Sequence, residues 1–224
     1  MSDLFKLEEL DTDGAIQETA EQVDVDTRAA FLRKAGIGLG AVAGSGALVG
    51  ALPGVASAAR VPRSDIAILN FALTLEFLEA AFYAEANRNR AISGELLRFS
   101  QVVGRHENAH VAFLRRALGR KAVKRPRFNF KGTTANAAKF AQTAQVLEDT
   151  GVKAYLGQVG NIKAKAILKA AGSILPVEAR HAAWIRDIRG NGKAPSPAPS
   201  GFETGLTKNQ VLAAVKGTGF IVGK

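Results

Sequence analysis

Cysteine is absent from the 224-residue chain. Its absence excludes disulfides, thiolate metal sites and a cysteine nucleophile, so any metal must be held by carboxylate and imidazole groups. Histidine and tyrosine are scarce, with three and two residues. The chain has 30 Lys or Arg and 20 Asp or Glu. Residues 1–58 contain four of the basic residues and nine of the acidic ones. Residues 59–224 therefore contain 26 basic and 11 acidic residues. Because acidic residues are few in residues 59–224, each of them is a candidate for a specific role.

The charge is divided unevenly between the two parts of the chain. Those counts give residues 1–58 a net charge of −5 and residues 59–224 a net charge of +15. The basic surplus includes the loop RKAVKRPRFNFK at residues 120–131. Such a surface favours an anionic polymer or an anionic membrane surface as partner, although it can also serve only for solvation.

Residues 1–58 are interpreted as an export signal that is cleaved. The segment TRAAFLRKAG precedes an uncharged run at residues 37–52, and Ala56-Ser57-Ala58 forms an A-x-A cleavage signal. The run is short and rich in glycine, which disfavours a membrane-spanning helix. The segment resembles a twin-arginine signal, but Ala29 stands where the second arginine belongs, so ordinary secretion, a retained anchor and a disordered tail stay open. Export machinery is the expected partner, and the periplasm, cell envelope or exterior the expected location.

From Ser64 onward, capping residues and turn residues predict an all-α domain over residues 59–190. The four helices are expected at residues 64–90, at 93–118, from Thr133 or Thr134 to 156, and at 163–188. Pro176 predicts a kink or a break near Gly172 in the fourth helix. Residues 191–203 are a Pro/Ser linker, and residues 204–224 a tail that packs on the bundle, with a short helix from Thr207 to Val215.

An internal duplication carries the functional argument. RHENAHVAFLR at residues 105–115 and PVEARHAAWIR at 176–186 share Glu-x-x-His-x-Ala-aromatic-aliphatic-Arg. Each is preceded by Leu-Glu with a Tyr seven residues after the Glu. An αα-hairpin therefore occurs twice, with one Glu on its first helix and Glu-x-x-His on its second. The matched residues are Glu76, Tyr83, Glu107 and His110 in one half and Glu148, Tyr155, Glu178 and His181 in the other.

The helical period of 3.6 residues places these ligand candidates on the apolar faces of their helices. Four carboxylates that share one core would be costly to bury without cations. Two divalent cations would remove that cost, and carboxylates with one imidazole per metal favour iron or manganese. One Glu on each of two helices, with Glu-x-x-His on each of the other two, is the ligand pattern of ferritin-like di-iron and di-manganese proteins.

Several individual roles have alternatives. Glu76 is preferred as the ligand from the first helix, but Glu79 lies one turn further on and could reach the same site. Tyr83 and Tyr155 are expected to donate hydrogen bonds to ligand carboxylates, to take part in radical chemistry, or to serve only as core residues. His106 points about 100° away from the ligand stripe and is expected to be partly exposed.

A structural alternative also exists for the glutamates and histidines of the two Glu-x-x-His motifs. They could form buried salt bridges with neighbouring arginines. The candidates are Arg105, Arg115, Arg180 and Arg186. Most of these arginines lie off the ligand stripe, which favours the metal interpretation.

The blocks LEFLEAAFYAEA, HENAHVAFLRRALG, LEDTGVKAYLG and AGSILPVEARHAAWIR resemble those of exported ferritin-like domain proteins, a bacterial group linked to desiccation- and stress-related proteins. The resemblance covers residues 64–222. Rubrerythrin and manganese catalase are similar in the ligand pattern only. The resemblance implies an export signal, an antiparallel ferritin-like four-helix bundle made of two αα-hairpins, and a metal centre.

Two functions follow from these features. The first is a di-iron or di-manganese redox protein outside the cytoplasm that protects against stress. It would act as an oxidase, a peroxidase or catalase, or a ferroxidase, with dioxygen or peroxide as the oxidant. The second is a non-catalytic cationic bundle that binds an envelope polymer, lipid or nucleic acid and uses metal only for stability.

Overall fold

The computed structural model describes residues 61–190, 193 and 197–223. The predicted export signal and its predicted cleavage site lie outside these residues, as does part of the predicted Pro/Ser linker. Five α-helices, two short 3-10 turns and two short strands make up the described part of the chain. The helices are α1 (Arg63–Asn89), α2 (Gly94–Leu118), α3 (Ala137–Val159), α4 (Lys165–Gly190) and α5 (Lys208–Thr218).

The first four helices form two hairpins, α1–α2 and α3–α4, as the sequence predicts. Across the bundle, Glu76 meets Tyr155 and Tyr83 meets Glu148, so α1 and α3 are antiparallel. Contacts that join Glu107 to His181 and His110 to Glu178 make α2 and α4 antiparallel as well. The predicted all-α bundle of two αα-hairpins is confirmed.

Helix α1 is the central apolar helix of the bundle. By length and composition it could cross a membrane, but 72% of its apolar stretch is buried inside the protein. A helix that is apolar on nearly all sides needs neighbours on nearly all sides. Here Phe82 packs flat against Phe140 of α3, with ring centroids 5.1 Å apart, and edge-on against Phe130 of the loop after α2.

Helix ends are set partly by contacts that local patterns do not contain. The prediction that Thr133 or Thr134 caps the third helix is wrong. Both residues lie in a 3-10 turn (Thr133–Ala135), and the Asn136 side chain caps α3 by accepting a hydrogen bond from the Lys139 backbone N–H at 2.9 Å. Asp65 of α1 caps α4 from across the bundle, because its carboxylate accepts hydrogen bonds from the backbone N–H groups that precede Lys165.

Pro176 lies within α4, yet the helix continues from Lys165 to Gly190. Of the two predicted alternatives, the break near Gly172 is therefore wrong, and a kink at Pro176 stays a prediction. A proline removes one backbone hydrogen bond, and burial of both Ile174 and Glu178 on either side of it holds the helix in place.

The loop after α2 and the C-terminal tail close one side of the bundle. Strand β1 (Arg127–Phe128) pairs antiparallel with β2 (Ile221–Gly223), a pairing that the sequence did not indicate. Thr207 and Gln210 form a capping box at the start of α5. Val211, Val215 and Phe220 are buried in the same core cluster as Phe82, so the tail packs against the bundle.

Candidate metal centre

Four helices deliver one buried polar cluster to the middle of the bundle. Helices α1 and α3 each supply one Glu from near the middle of the helix. Helices α2 and α4 each supply a Glu-x-x-His motif, whose i, i+3 spacing places both side chains on one face of the helix. All members are at least nine-tenths buried: Glu76, Glu107, His110, Glu148, Glu178 and His181. The structure thus brings together six of the seven residues that the sequence proposed as ligands.

One half of the cluster is centred on His110. Its Nδ1 lies 3.2 Å from Glu76 Oε2, 3.1 Å from Glu107 Oε2 and 3.1 Å from Glu178 Oε1. A single imidazole N–H cannot donate full hydrogen bonds to three carboxylates at once. The donor atoms of these four residues lie within 4.8 Å of one another, which is close enough to surround one metal ion.

The other half is centred on His181. Its Nδ1 lies 3.1 Å from both Glu107 Oε1 and Glu148 Oε2. Together with Glu178, these residues form a second group whose donor atoms lie within 4.8 Å of one another. Glu107 and Glu178 belong to both groups, whereas each group has its own histidine and its own Glu from α1 or α3. Two shared carboxylates between two end groups are the arrangement of a carboxylate-bridged pair of sites.

The structure does not place the four arginines of the salt-bridge alternative against this cluster. Arg105, Arg115 and Arg180 are exposed, and Arg186 pairs with Asp149 at 2.6 Å. The carboxylates that Arg186 contacts, Asp149 and Glu203, both lie outside the cluster. The positive charge that balances the carboxylates must therefore come from protons, the two histidines or bound cations.

Without a cation the cluster holds protons that exposed groups would release. Burial raises the pKa of Glu178 well above its ordinary value, and the neighbouring Glu107 carboxylate raises it further. Burial also raises the pKa of Glu76 to about 7, against the opposing effect of His110. Glu107 differs, because burial, which would raise its pKa, is outweighed by the combined effect of its hydrogen bonds with His110 and His181 and of the His110 charge, and its pKa is lowered.

The histidines are the basic members of the cluster. Burial alone would lower the pKa of His181, but Glu107 and Glu148 outweigh it and raise the value to about 10. The pKa of His110 is also strongly raised, because Glu76 and its other carboxylate neighbours outweigh burial. Both imidazoles are consequently protonated at neutral pH, in the place where a cation would otherwise lie.

Each tyrosine donates a hydrogen bond to a glutamate of the opposite hairpin. Tyr83 donates to Glu148 Oε1, and Tyr155 donates to Glu76 Oε1. The hydrogen-bonding role that the sequence allowed is therefore the one that the structure shows. The seven-residue spacing that matched each Tyr to a Glu of its own helix reflects the antiparallel pairing of α1 with α3. These bonds leave the second oxygen of each carboxylate directed at a histidine.

Glu79 is buried but lies in neither group. It neighbours Gly151, its counterpart in the repeat, where a Cβ atom would lie 3.3 Å from Glu79 Oε1 and 2.9 Å from Glu178 Oε2. The absence of a side chain at Gly151 therefore makes room for two carboxylates. Burial, with further repulsion from Glu148, raises the pKa of Glu79 well above its ordinary value.

His106 is a residue that the sequence did not connect to the cluster. It remains partly exposed, but its Nδ1 lies 2.8 Å from His181 Nε2, and the two rings stack with centroids 5.1 Å apart. The contact escapes a helical-face argument because the imidazole crosses from α2 to α4 rather than pointing along its own stripe. The chain has only three histidines, and two of them belong to the cluster, so the third could have been suspected of a role there. The repeat has Val177 at the matching position, so His110 has no equivalent partner in the repeat.

The donor set fits divalent cations. Glu178 Oε2 is buried without a hydrogen bond or an ion pair among the described residues, and an orphaned carboxylate oxygen is costly unless a cation compensates it. Carboxylate oxygens and imidazole nitrogens without sulfur suit iron or manganese. Fold and site together define an antiparallel helical bundle with a buried carboxylate–histidine cluster able to hold metal ions.

Comparison with protein families agrees with this class. The model of the ferritin-like domain matches residues 64–191, which is more than half of the chain. The protein belongs to the ferritin-like domain family. The match spans all four helices that supply the cluster. A search of curated proteins finds no match.

Proposed function

We propose that this protein binds two iron or manganese ions between its four helices and uses them for redox chemistry with dioxygen, peroxide or Fe(II). The observation that carries the proposal is the pair of overlapping donor groups that share Glu107 and Glu178. His110 with Glu76 would complete one metal position, and His181 with Glu148 the other. When bound, two such ions can together exchange two electrons with an O–O ligand.

The protein supplies position, exclusion of water and proton control around that chemistry. The Nδ1 atoms of both histidines face the carboxylates, which is the orientation needed for metal binding through that nitrogen. Tyr83 holds one oxygen of Glu148, and Tyr155 holds one oxygen of Glu76. The buried surroundings limit the escape of reactive species.

An apolar cavity next to the cluster supports the proposal that the oxidant is a small apolar molecule. It has a volume of about 20 Å³ and lies among α1, α2, α3 and α4, with Leu69, Phe113 and Ile174 in its wall. Tyr155 also lines it, and the hydroxyl of Tyr155 contacts Glu76. A cavity with an apolar lining favours a neutral, apolar molecule such as dioxygen over an ion.

Metal analysis of a paired variant tests the proposal. Glu107→Gln combined with His110→Ala removes one shared carboxylate and one histidine, so bound metal should fall from about two per chain to one or none. Helicity should survive, because the bundle has its own apolar core. Unchanged metal content would refute the assignment. The wild-type protein, loaded with iron or manganese, should then be assayed for peroxide turnover and Fe(II) oxidation.

Export and stress protection complete the proposal. The export-type segment at residues 1–58 supports a location outside the cytoplasm, where mature protein would begin near Ala59. N-terminal sequencing of protein recovered from outside the membrane checks this point, and a sequence that begins before Arg28 would contradict it. The resemblance to stress-related proteins supports a protective role, which survival of a deletion strain under peroxide tests.

A further inference from the structure

A basic cleft lies at the surface beyond the C-terminal end of α2. It has a volume of about 620 Å³ and is formed by the last turn of α2, the following 3-10 turn (Gly119–Lys121) and the start of the next loop. Phe77 of α1 contributes to its wall. Five cationic side chains line it: Arg115, Arg116, Arg120, Lys124 and Arg125.

We propose that this basic cleft binds a compact ligand with several phosphoryl charges. Between residues 115 and 131 there are eight Lys or Arg and no Asp or Glu. None of the residues that line the cleft is acidic. Four of its five cations are arginines, whose planar forks match the oxygens of phosphoryl groups better than a point charge does.

The backbone of the cleft is fixed by a neighbouring helix. The Asn70 side chain of α1 donates a hydrogen bond to the Lys121 carbonyl at 2.9 Å and accepts one from the Val123 backbone N–H at 2.8 Å. The Ala122 backbone N–H closes the 3-10 turn on the Gly119 carbonyl at 3.2 Å. The cations are thus carried on a backbone that is already held in position, which reduces the entropy lost on binding.

Further along the loop, the same segment is joined to the rest of the fold. The Arg125 guanidinium lies over the Phe128 ring, 5.5 Å from its centroid, and strand β1 that follows pairs with the C-terminal β2. A basic tail that only keeps a protein soluble needs none of these contacts. The ligand chemistry proposed here is independent of the metal centre.

The decisive experiment compares variants of the full-length chain in calorimetric titrations with inorganic tripolyphosphate at about 150 mM salt. The cleft variant is Arg120→Gln/Lys124→Gln/Arg125→Gln. Its control, Lys139→Gln/Lys165→Gln/Lys169→Gln, removes the same charge from exposed positions outside the cleft. We expect saturable binding by the wild-type protein, a loss of about tenfold or more in the cleft variant, and little change in the control.

A second variant separates geometry from charge. Asn70→Ala keeps every cation but removes both hydrogen bonds that hold the loop, so it should weaken tripolyphosphate binding by several-fold. Absence of saturable binding, equal losses in the cleft variant and its control, or unchanged binding by Asn70→Ala would each overturn the proposal. Helicity and metal content serve as readouts of folding, and neither should change in the cleft variant.

A further arm distinguishes a free ligand from a lipid headgroup. Vesicles of phosphatidylcholine with roughly 20% phosphatidic acid carry the same phosphoryl chemistry on a surface. Vesicle binding that tripolyphosphate displaces and that the cleft variant loses would identify a membrane source. Tripolyphosphate binding without vesicle binding would identify a soluble ligand. Both results support the site and assign its occupant.

Discussion

Loading two metal ions should release about two to three protons per chain at pH 7. In the metal-free cluster the pKa values of His110 and His181 are raised, the latter to about 10, so each imidazole holds a proton that must leave before Nδ1 can bind a metal. Burial also raises the pKa of Glu178 well above the ordinary value, so a proton held by Glu178 would add to this number. Glu76, with a pKa of about 7, contributes roughly half a proton.

Calorimetric titration of the metal-free protein with Mn(II) measures this number. The same titration in buffers with different ionisation enthalpies gives apparent enthalpies whose slope is the number of protons released. Mn(II) is suitable because it avoids oxidation by air during the titration. Release of fewer than about one proton while two ions bind would refute the charge assignment, since it would mean that the carboxylates and imidazoles are already deprotonated without metal.

The same groups set the stability of the metal-free protein. A group whose pKa is raised on folding contributes stability below its unfolded pKa and loses it as the pH rises through the folded pKa. For Glu76 that loss runs from about pH 4.5 to above 7 and is worth about 3 kcal/mol. For His181 it runs from about 6.5 to 10. Thermal unfolding should therefore occur at lower temperature at pH 8 than at pH 6, and bound metal should reverse the difference.

Three substitutions test individual roles. Glu76→Gln should weaken metal binding more strongly than Glu79→Gln in a competition titration, because Glu79 lies outside both donor groups; the reverse order would make Glu79 the ligand. Gly151→Ala should lower metal content although alanine favours a helix, because its Cβ would lie 2.9 Å from a Glu178 oxygen; unchanged content would contradict this. His106→Ala should weaken the metal beside His181 by about tenfold to a hundredfold and spare the other, as Co(II) spectra can show; equal losses at both positions would count against the contact.

The duplicated motif made most of the cluster predictable. The spacing within Glu-x-x-His is local, and helical geometry converts it directly into two side chains on one face. The repeat then identified Glu76 and Glu148, because each follows a Leu and is followed by a Tyr seven residues later. The metal role of these residues remains a proposal, but their meeting in one buried cluster follows from pattern and period alone.

Features that depend on contacts between distant segments were not predictable in this way. Asn136 replaces the threonines as the cap of α3, and Asp65 caps a helix about 100 residues further along the chain. The contact between His106 and His181 depends on how α2 packs against α4, which a helical wheel does not contain. The pairing of β1 with β2 likewise requires the tail to have folded back.

The crossing of the tyrosine hydrogen bonds has a consequence for how the protein assembles. Both donor groups take residues from both hairpins, and Tyr83 and Tyr155 each reach the glutamate of the opposite one. An isolated hairpin can form from contacts close in sequence, but it contains neither complete group. Completion of either donor group therefore requires the docking of one hairpin on the other. If two ions bind as proposed, their presence would report that the two hairpins have docked.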